Sequence, residues 1–320
     1  MKYNDLVSVI VIAYNSSSYV IDTLESIKNQ TYNNIELVIS DDCSTDDTIT
    51  KVTKWIDANS QRFTNVKVVI ALQNNGISGN CNQGLENAQG KFLQYIAADD
   101  LLLPNCIQDK VNFVINNPDI SILFSDMEIQ SDEKCSNNSN KVYWWESVKD
   151  SAQIFFDLDA KSQFEALIRE NLIPASTNFI KKEILEKVGG FDERFPMLED
   201  WPLWTKITSN GIKLHYFNKK TVIYRIHNAS ISNEESMINP KYFDSLYAYF
   251  IKFRAKHLSW SDYWDTFFCY SAIRLCIVFG NKRSLGVIFK MFIYYPLIPF
   301  IHPSKAFRHV KKLVVDHFVL

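Results

Sequence analysis

Hydrophobic and polar positions alternate in blocks along the first 130 residues, and the block lengths separate strands from helices. Short apolar runs rich in Val, Ile and Tyr predict buried strands, whereas apolar residues recurring every three or four positions predict amphipathic helices. We expect strands near 7–13, 35–40, 66–72 and 92–98, and helices near 18–30, 46–59 and 78–89. This alternation predicts βαβ units, and therefore an α/β fold with a mostly parallel sheet sandwiched by helices.

The pattern beyond residue 100 is less regular. We expect a turn into a helix at 101–104, a strand with one wet face at 121–129, a solvent loop at 131–140 and a flexible cover from Lys141. A helix ended by Gly189 and Gly190 should precede a helix at 198–209 and strands near 213–217 and 221–226. The last predicted elements are helices at 242–253 and 260–279.

Pairs of acidic residues follow two of the predicted strands: Asp41 with Asp42, and Asp99 with Asp100. Ligands of parallel sheets bind beyond the carboxyl ends of the strands, so these pairs should share one rim. Adjacent carboxylates repel and lose hydration, and they persist most easily beside a cation or a solvent-filled cleft. Mg²⁺ is usually shared between one or two protein carboxylates and substrate phosphates. The first hypothesis is therefore a metal–diphosphate site at Asp99; an acidic turn or helix start fits these residues alone equally well.

Composition and missing motifs exclude several classes of protein. The chain has 320 residues with 47% hydrophobic content, enough for a large core. The first strand is followed by no Gly-x-Gly-x-x-Gly, and the chain has no Gly-Lys-Ser/Thr loop, so a dinucleotide-dependent dehydrogenase and a P-loop enzyme lose their main support. The six cysteines form no Cys-x-x-Cys pair, which predicts reduced thiols and no disulfides. The apolar run at 6–13 is better explained as a buried strand than as a signal peptide.

Charge is divided unevenly along the chain. Residues 241–320 carry eight Lys and four Arg against four Asp, whereas residues 1–240 are acidic overall. This basic, aromatic segment predicts helices at an anionic membrane surface, although packing on the catalytic domain or a homodimer interface would also explain it. The run at 285–301 is interrupted by Lys290, Pro296 and Pro299 and is a poor membrane span. We therefore expect a domain at 1–240 and a helical extension at 241–320.

Four short motifs occur in a characteristic order and spacing. They are VSVIVIAYN at 7–15, ELVISDDCSTDDT at 36–48, NG at 75–76 with NQG at 82–84, and AADD at 97–100. In this order they resemble the family-2 inverting glycosyltransferases, which use nucleotide-sugar donors on the Rossmann-like GT-A fold. The resemblance covers roughly residues 6–230.

The resemblance implies a donor site and a divalent metal, Mn²⁺ or Mg²⁺. Asp99 would be the second acid of the Asp-x-Asp signature, bound to the metal that bridges the donor diphosphate. Two departures stand out: the first acid is Ala97, and the family's frequent Arg is Cys81. Asp100 could supply the contact that Ala97 lacks. The residues expected to bind the donor are Ala13, Tyr14, Asn15, Asp41, Asp42, Asn75, Asn82 and Asp100.

A second acidic pair, Glu199–Asp200, begins the helix predicted at 198–209. A helix N-terminus favours ionised carboxylates, so both acids could simply stabilise the helix start. Glycosyl transfer needs an ionised base within reach of the acceptor hydroxyl. By resemblance Asp200 is that base and Glu199 orients it or the acceptor. His227, after the last predicted strand, could complete the metal shell, touch the diphosphate or be structural.

The resemblance implies an inverting, metal-dependent hexosyltransferase with UDP-glucose or UDP-galactose as donor. The size and layout are similar to those of bacterial enzymes that extend an undecaprenyl-diphosphate-linked sugar in O-antigen (lipopolysaccharide) or capsule biosynthesis. We expect a cytoplasmic protein, peripheral on the inner membrane, with no nucleic-acid partner. The alternatives are a catalytically silent nucleotide-binding partner in a membrane complex, suggested by Ala97 and Cys81, and a nucleotidyltransferase, which usually needs a Gly-rich basic loop absent after Tyr14–Asn15.

Overall fold

The computed structural model describes residues 4–131, 139–227 and 239–279, without the side chains of 139–147. The chain divides into two compact units, Met1–Asn228 and Ala229–Leu320. The division falls before the boundary that we predicted at residue 240, and the roles of the two units stay predictions.

The first unit is built on a mixed sheet, with eight strands in the described part of the chain, in the order β3-β2-β1-β4-β7-β6-β8-β5. Its left half, β3-β2-β1-β4, is parallel, as predicted. Beyond β4, β7 is antiparallel to both β4 and β6, β8 is parallel to β6, and β5 is antiparallel to β8. The strands are β1 Val7–Ala13, β2 Ile35–Asp41, β3 Asn65–Ile70, β4 Phe92–Ala97, β5 Leu101–Leu102, β6 Ile122–Ser131, β7 Phe179–Lys181 and β8 His215–Ile226.

Helices cover the sheet, and those predicted in the first half of the chain are confirmed within a few residues. Parallel strands covered in this way are apolar along their whole length, and β2 is buried at every position. The helices of this unit are α1 Val20–Lys28, α2 Thr48–Asn59, α3 Gly76–Asn87, α4 Cys106–Asn116, α5 Ser139–Asp157, α6 Ala160–Leu167, α7 Lys182–Val188 and α8 Asp200–Ser209.

Four local predictions need correction. The strands expected at 213–217 and 221–226 are one strand, β8, whose centre is exposed and whose pairing with β6 continues through a register shift at Asp126. The wet face predicted for 121–129 is wrong at its start, because 122–127 are all buried. The turn at 101–104 includes the short strand β5. The loop and cover expected from 131 onward become α5 at Ser139, while 132–138 lie outside the described residues.

The second unit contains α9 (Pro240–Lys252) and α10 (Trp260–Val278), which confirms the two helices predicted there. They pack around an aromatic cluster of Phe243, Phe250 and Tyr270. None of the helices among the described residues has the length and apolar character that crossing a bilayer requires. The run at 285–301 lies outside the described residues.

Candidate active site

Three strand ends meet at the carboxyl rim of the parallel half-sheet. In the register of β1, Ala13 lies beside Asp41 on β2, and Ile12 lies beside Ala97 on β4. The loops that follow β1, β2 and β4 therefore leave the sheet side by side. This arrangement brings together the first two predicted acid pairs, which are far apart in sequence.

The loops after β1 and β2 are fastened to each other. Asn15 has a left-handed backbone (φ 50°); its N–H donates to Ser44 Oγ (2.8 Å) and its Oδ1 accepts from Thr45 N (2.8 Å). Asp41 accepts from the N–H and hydroxyl of Ser44 at 2.8 and 2.5 Å. The side chains of Asn15 and Asp41 thus stabilise the loop after β2, whereas Tyr14 is 50% exposed. Their contacts with a nucleotide stay predictions.

Asp42 lies at the amino end of α3. Its Oδ1 accepts from Asn75 N (2.7 Å) and its Oδ2 from Gly76 N (2.9 Å), while its own N–H donates to Ala13 O (3.0 Å). Burial raises the pKa of Asp42, and the two backbone donors oppose that rise. The carboxylate therefore satisfies two N–H groups that a helix start otherwise leaves unpaired. Recognition of a base by Asp42 stays a prediction.

The first turns of α3 hold the segment that leads into α8. Ser78 donates through its N–H to Pro196 O (3.2 Å) and through its hydroxyl to Phe195 O (2.9 Å). Gly76 has φ +77°, and a Cβ there would lie 2.5 Å from Pro196 O. Asn82 accepts from Phe191 N (2.8 Å) and donates to Phe191 O (3.0 Å). Asn82, which we predicted to bind the donor, thus has a clear structural role here.

Glu199 and Asp200 stand where α8 begins, and both are partly exposed. Asp200 Oδ1 accepts from Trp201 N (2.6 Å), and Oδ2 accepts from the side-chain amide of Asn171 (2.7 Å). Burial and the neighbouring Asp200 carboxylate raise the pKa of Glu199 to about 8, and burial raises the pKa of Asp200.

The helix N-terminus does not keep Glu199 ionised at neutral pH, contrary to the sequence argument. A helix dipole stabilises a carboxylate by about 0.3–1 kcal/mol. Each tenfold change in proton affinity is worth about 1.4 kcal/mol, and the pKa of Glu199 rises from 4.5 to about 8. Desolvation and like charge therefore outweigh the dipole, so that the pair retains a proton near neutral pH.

Cys81 lies on α3 and connects the second acid pair with Asp42. Burial raises the pKa of its thiol well above the usual value, and the charges of Glu199, Asp200 and Asp42 raise it further. The three carboxylates are thus close enough to act on one buried sulfur atom. Three of the acids expected to share a site, from two distant parts of the sequence, converge here.

Asp99 faces His227. The Oδ2 of Asp99 lies 3.0 Å from His227 Nε2, and the side chains are 30% and 5% exposed, respectively. Asp100 is buried; its Oδ1 accepts from Arg225 N (3.0 Å), and burial followed by the Asp99 charge raises its pKa well above the usual value. Asp100 is therefore directed inward, and its contact with the donor stays a prediction.

The donor set of Asp99 and His227 is compatible with a divalent cation. The described residues contain no group of three or more His, Cys, Asp or Glu side chains that could hold a metal on their own. A cation bound through one carboxylate and completed by substrate phosphates and water needs no such group. Asp99 has the exposure that this arrangement requires.

Arg225 is a residue of this site that we did not predict. Its guanidinium donates through Nε to Asp99 O and through Nη1 to Asp22 Oδ2 (2.9 Å). Its Nη2 donates to Tyr19 O and Thr23 Oγ1, both at 3.3 Å. An Arg two residues before the His that follows a strand was the available signal, since side chains two apart in extended backbone share a face.

An α/β sheet with acids at the carboxyl rim of its parallel strands, and a further acid pair beside that rim, is typical of the GT-A glycosyltransferase fold. The model of the family described as "Glycosyl transferase family 2" matches residues 8–175. The chain belongs to this family. The matched region contains Asp42 and Asp99 and ends before Glu199, so the assignment of the second pair depends on geometry.

Two curated relatives are named as glycosyltransferases. The chain is 29% identical over 233 residues, 71% of this chain and 80% of the relative, to the UDP-Glc:alpha-D-GlcNAc-diphosphoundecaprenol beta-1,3-glucosyltransferase WfaP of Escherichia coli. It is 28% identical over 238 residues, 73% of this chain and 71% of the relative, to an uncharacterized glycosyltransferase of Haemophilus influenzae.

Solved structures agree with the fold. TarS 1–349 of S. aureus, in complex with UDP-GlcNAc, has a TM-score of 0.62 at 18% identity and covers 94% of this chain and 87% of its own. The mannosyltransferase PcManGT of Pyrobaculum calidifontis, in complex with GDP-Man and Mn²⁺, has a TM-score of 0.54 at 16% identity, with 90% and 79% covered. At these identities the likeness concerns the fold alone.

Proposed function

We propose that this glycosyltransferase moves a hexose from a UDP-sugar to a lipid-diphosphate-linked sugar, with inversion at the anomeric carbon. The observation that carries the proposal is the position of Asp200, which Asn171 and Trp201 hold at the start of α8. Asp200 and Asp42 are both close enough to the Cys81 thiol to raise its pKa. Asp200 would thereby be available as a base near the end of the sheet that would hold the donor.

Asp200 would remove the proton of the acceptor hydroxyl as the oxygen attacks the anomeric carbon. A base is most effective when its pKa lies near the working pH, and burial raises the pKa of Asp200 toward that range. Glu199, with a pKa of about 8, would hold a proton at neutral pH and leave the negative charge of the pair on Asp200. The bond between the anomeric carbon and the diphosphate breaks as the new glycosidic bond forms.

Asp99 and His227 would bind Mn²⁺ or Mg²⁺ together with the donor diphosphate. Such a cation supplies positive charge where the departing nucleoside diphosphate becomes more negative. A metal-binding carboxylate must be deprotonated and accessible, and Asp99 is the accessible acid of its pair.

The acceptor class is inferred from WfaP, whose name specifies UDP-Glc, a diphosphoundecaprenol-linked GlcNAc and a β-1,3 linkage. A β-linked product results from inversion when the donor sugar is α-linked. We propose UDP-glucose or UDP-galactose as donor, and a place in surface polysaccharide biosynthesis for the product.

The decisive experiment incubates the full chain with UDP-glucose or UDP-galactose, Mn²⁺ and a synthetic GlcNAc-diphospholipid, and follows glycolipid by chromatography and linkage by NMR. A new β-glycoside is expected. Transfer with retained anomeric configuration, or no transfer from any nucleotide sugar, would contradict the proposal; the latter would favour a silent nucleotide-binding partner.

A lipid-linked acceptor would be available at the cytoplasmic face of the inner membrane, and we propose that the second unit contacts that surface. Trp260 is 67% exposed and Ile251 44%, and Lys252 and Lys256 lie in the same part of the chain. Aromatic and basic side chains together suit an anionic interface. The full chain should sediment with anionic vesicles and be released by salt; equal binding to zwitterionic vesicles would contradict the electrostatic part.

A further inference from the structure

Arg225 joins two elements that border the predicted metal site. Only 10% of its side chain is exposed, and its guanidinium contacts the backbone carbonyl of Asp99 on one side and Asp22 of α1 on the other. Since the planar guanidinium directs its donors at fixed angles, these bonds set the distance between α1 and the turn after β4. The main-chain N–H of Arg225 also binds Asp100 Oδ1 (3.0 Å).

Tyr19 lies next to both Arg225 and His227. Its ring stacks on the imidazole with centroids 4.0 Å apart and an interplanar angle of 24°. The Cζ atom of Arg225 is 5.2 Å from the centroid of the same ring, a cation–π distance. One aromatic ring, fixed where α1 begins, thus contacts both side chains and limits rotation of the imidazole.

We propose that Arg225 and Tyr19 are positioning residues that orient Asp99 and His227 toward the metal-bound diphosphate. Arg225 fixes the main chain at Asp99, and Tyr19 fixes the plane of the ring whose Nε2 faces Asp99 Oδ2. Side chains that orient metal ligands commonly affect metal affinity about 10- to 100-fold. The inference rests on the proposed function, because it concerns the metal expected there.

A matched pair of substitutions separates positioning from general stability. Arg225→Lys keeps the charge and loses the planar fork. Arg62→Lys makes the same exchange at a partly buried guanidinium that also donates to backbone carbonyls, those of Lys28, Gln30 and Tyr32, remote from the rim. Both variants should lose some thermal stability, since each loses several hydrogen bonds donated by its guanidinium.

The measurement is the dissociation constant of Mn²⁺ for the full chain in the presence of UDP, from the signal of free Mn²⁺ in electron paramagnetic resonance. We expect Arg225→Lys to raise it about tenfold or more and Tyr19→Leu to raise it less, with Arg62→Lys unchanged. Equal affinities in Arg225→Lys and wild type, or a wild type that does not bind Mn²⁺, would overturn the inference.

Failure of the inference and failure of the proposed function remain distinguishable. Sugar transfer by a wild type that binds no Mn²⁺ would refute the positioning role and leave the transfer reaction intact. If Arg225→Lys binds Mn²⁺ more weakly than a wild type that itself transfers no sugar, the result would support the positioning role of Arg225 and refute the proposed reaction.

Discussion

The two acid pairs, Asp99–Asp100 and Glu199–Asp200, have similar sequences and different surroundings. Arg225 and His227 contact the first pair, whereas an amide and a backbone N–H bind Asp200 in the second. In both pairs burial raises the pKa of one member strongly, Asp100 in the first and Glu199 in the second.

The difference shows how environment separates two roles. A metal ligand must be accessible to the ion, and in the first pair Asp99 is 30% exposed whereas Asp100 is buried. A general base needs a pKa near the working pH, and neutral donors in a partly dry site leave it raised. Adjacent acids in a sequence therefore cannot be assigned one function before the groups around each of them are known.

The largest effect expected is from Asp200→Asn, which removes the base and retains its shape. We expect kcat to fall about a thousandfold, since general bases commonly contribute between 10² and 10⁴. The dissociation constant of UDP with Mn²⁺ should not change. Asp99→Asn, in contrast, should raise the dissociation constant of UDP with Mn²⁺.

Calorimetric titration of both variants measures these constants. An equal loss of UDP affinity in both variants would contradict the separation of roles between the two acid pairs.

Gly76→Ala should disturb the second pair through its supporting segment. The new Cβ would meet Pro196 O at 2.5 Å in a backbone with φ +77°. Gly211 has φ +76° with open space around it, so Gly211→Ala isolates the cost of the dihedral alone, about 1–2 kcal/mol. We expect Gly76→Ala to lose about 1–3 kcal/mol more in urea unfolding. Equal losses would show that Pro196 moves freely.

Asn171→Ala removes a donor that lowers the pKa of Asp200. The pKa of Asp200 should therefore rise, and the ascending limb of the kcat–pH profile should move to higher pH, because the ionised carboxylate loses a hydrogen-bond donor. Asn117→Ala at the exposed end of α4 is the control. An unshifted profile with lower kcat would mean that Asn171 acts only on packing.

Glu199→Gln should change how stability depends on pH. The folded protein holds a proton on Glu199 up to about pH 8, and the unfolded chain loses it near 4.5. This stabilisation is complete below the lower value and declines toward the higher one, by at most about 1.4 kcal/mol per pH unit. Wild-type Tm should thus fall more steeply than that of Glu199→Gln between these pH values; parallel curves would refute the raised pKa.

Sequence predicted the parallel half of the fold well because its signals are local. The buried runs of β1, β2 and β4 and the helices between them needed only apolar periodicity, and the acids at their ends followed from the strand-end rule. The antiparallel half depends on contacts between distant segments. The two strands expected at 213–217 and 221–226 are the single strand β8, because no local pattern reveals that its pairing with β6 continues through a register shift.

The site followed the same division. Asp42, Asp99 and Asp200 were visible as motifs, but the contacts that distinguish their environments come from elsewhere in the chain. Asn171 is 29 residues from Asp200, and Arg225 is 126 residues from Asp99. The inward direction of Asp100 and the raised pKa of Glu199 depend on burial, which the sequence motif does not specify.

Cys81 gives this protein a natural conformational reporter. A buried thiol with a raised pKa reacts slowly with alkylating reagents, because the thiolate is the nucleophile. Cys43 and Cys269 are partly accessible and should be modified first. Mass-spectrometric timing of Cys81 modification would therefore register opening between α3 and the start of α8, without any engineered label.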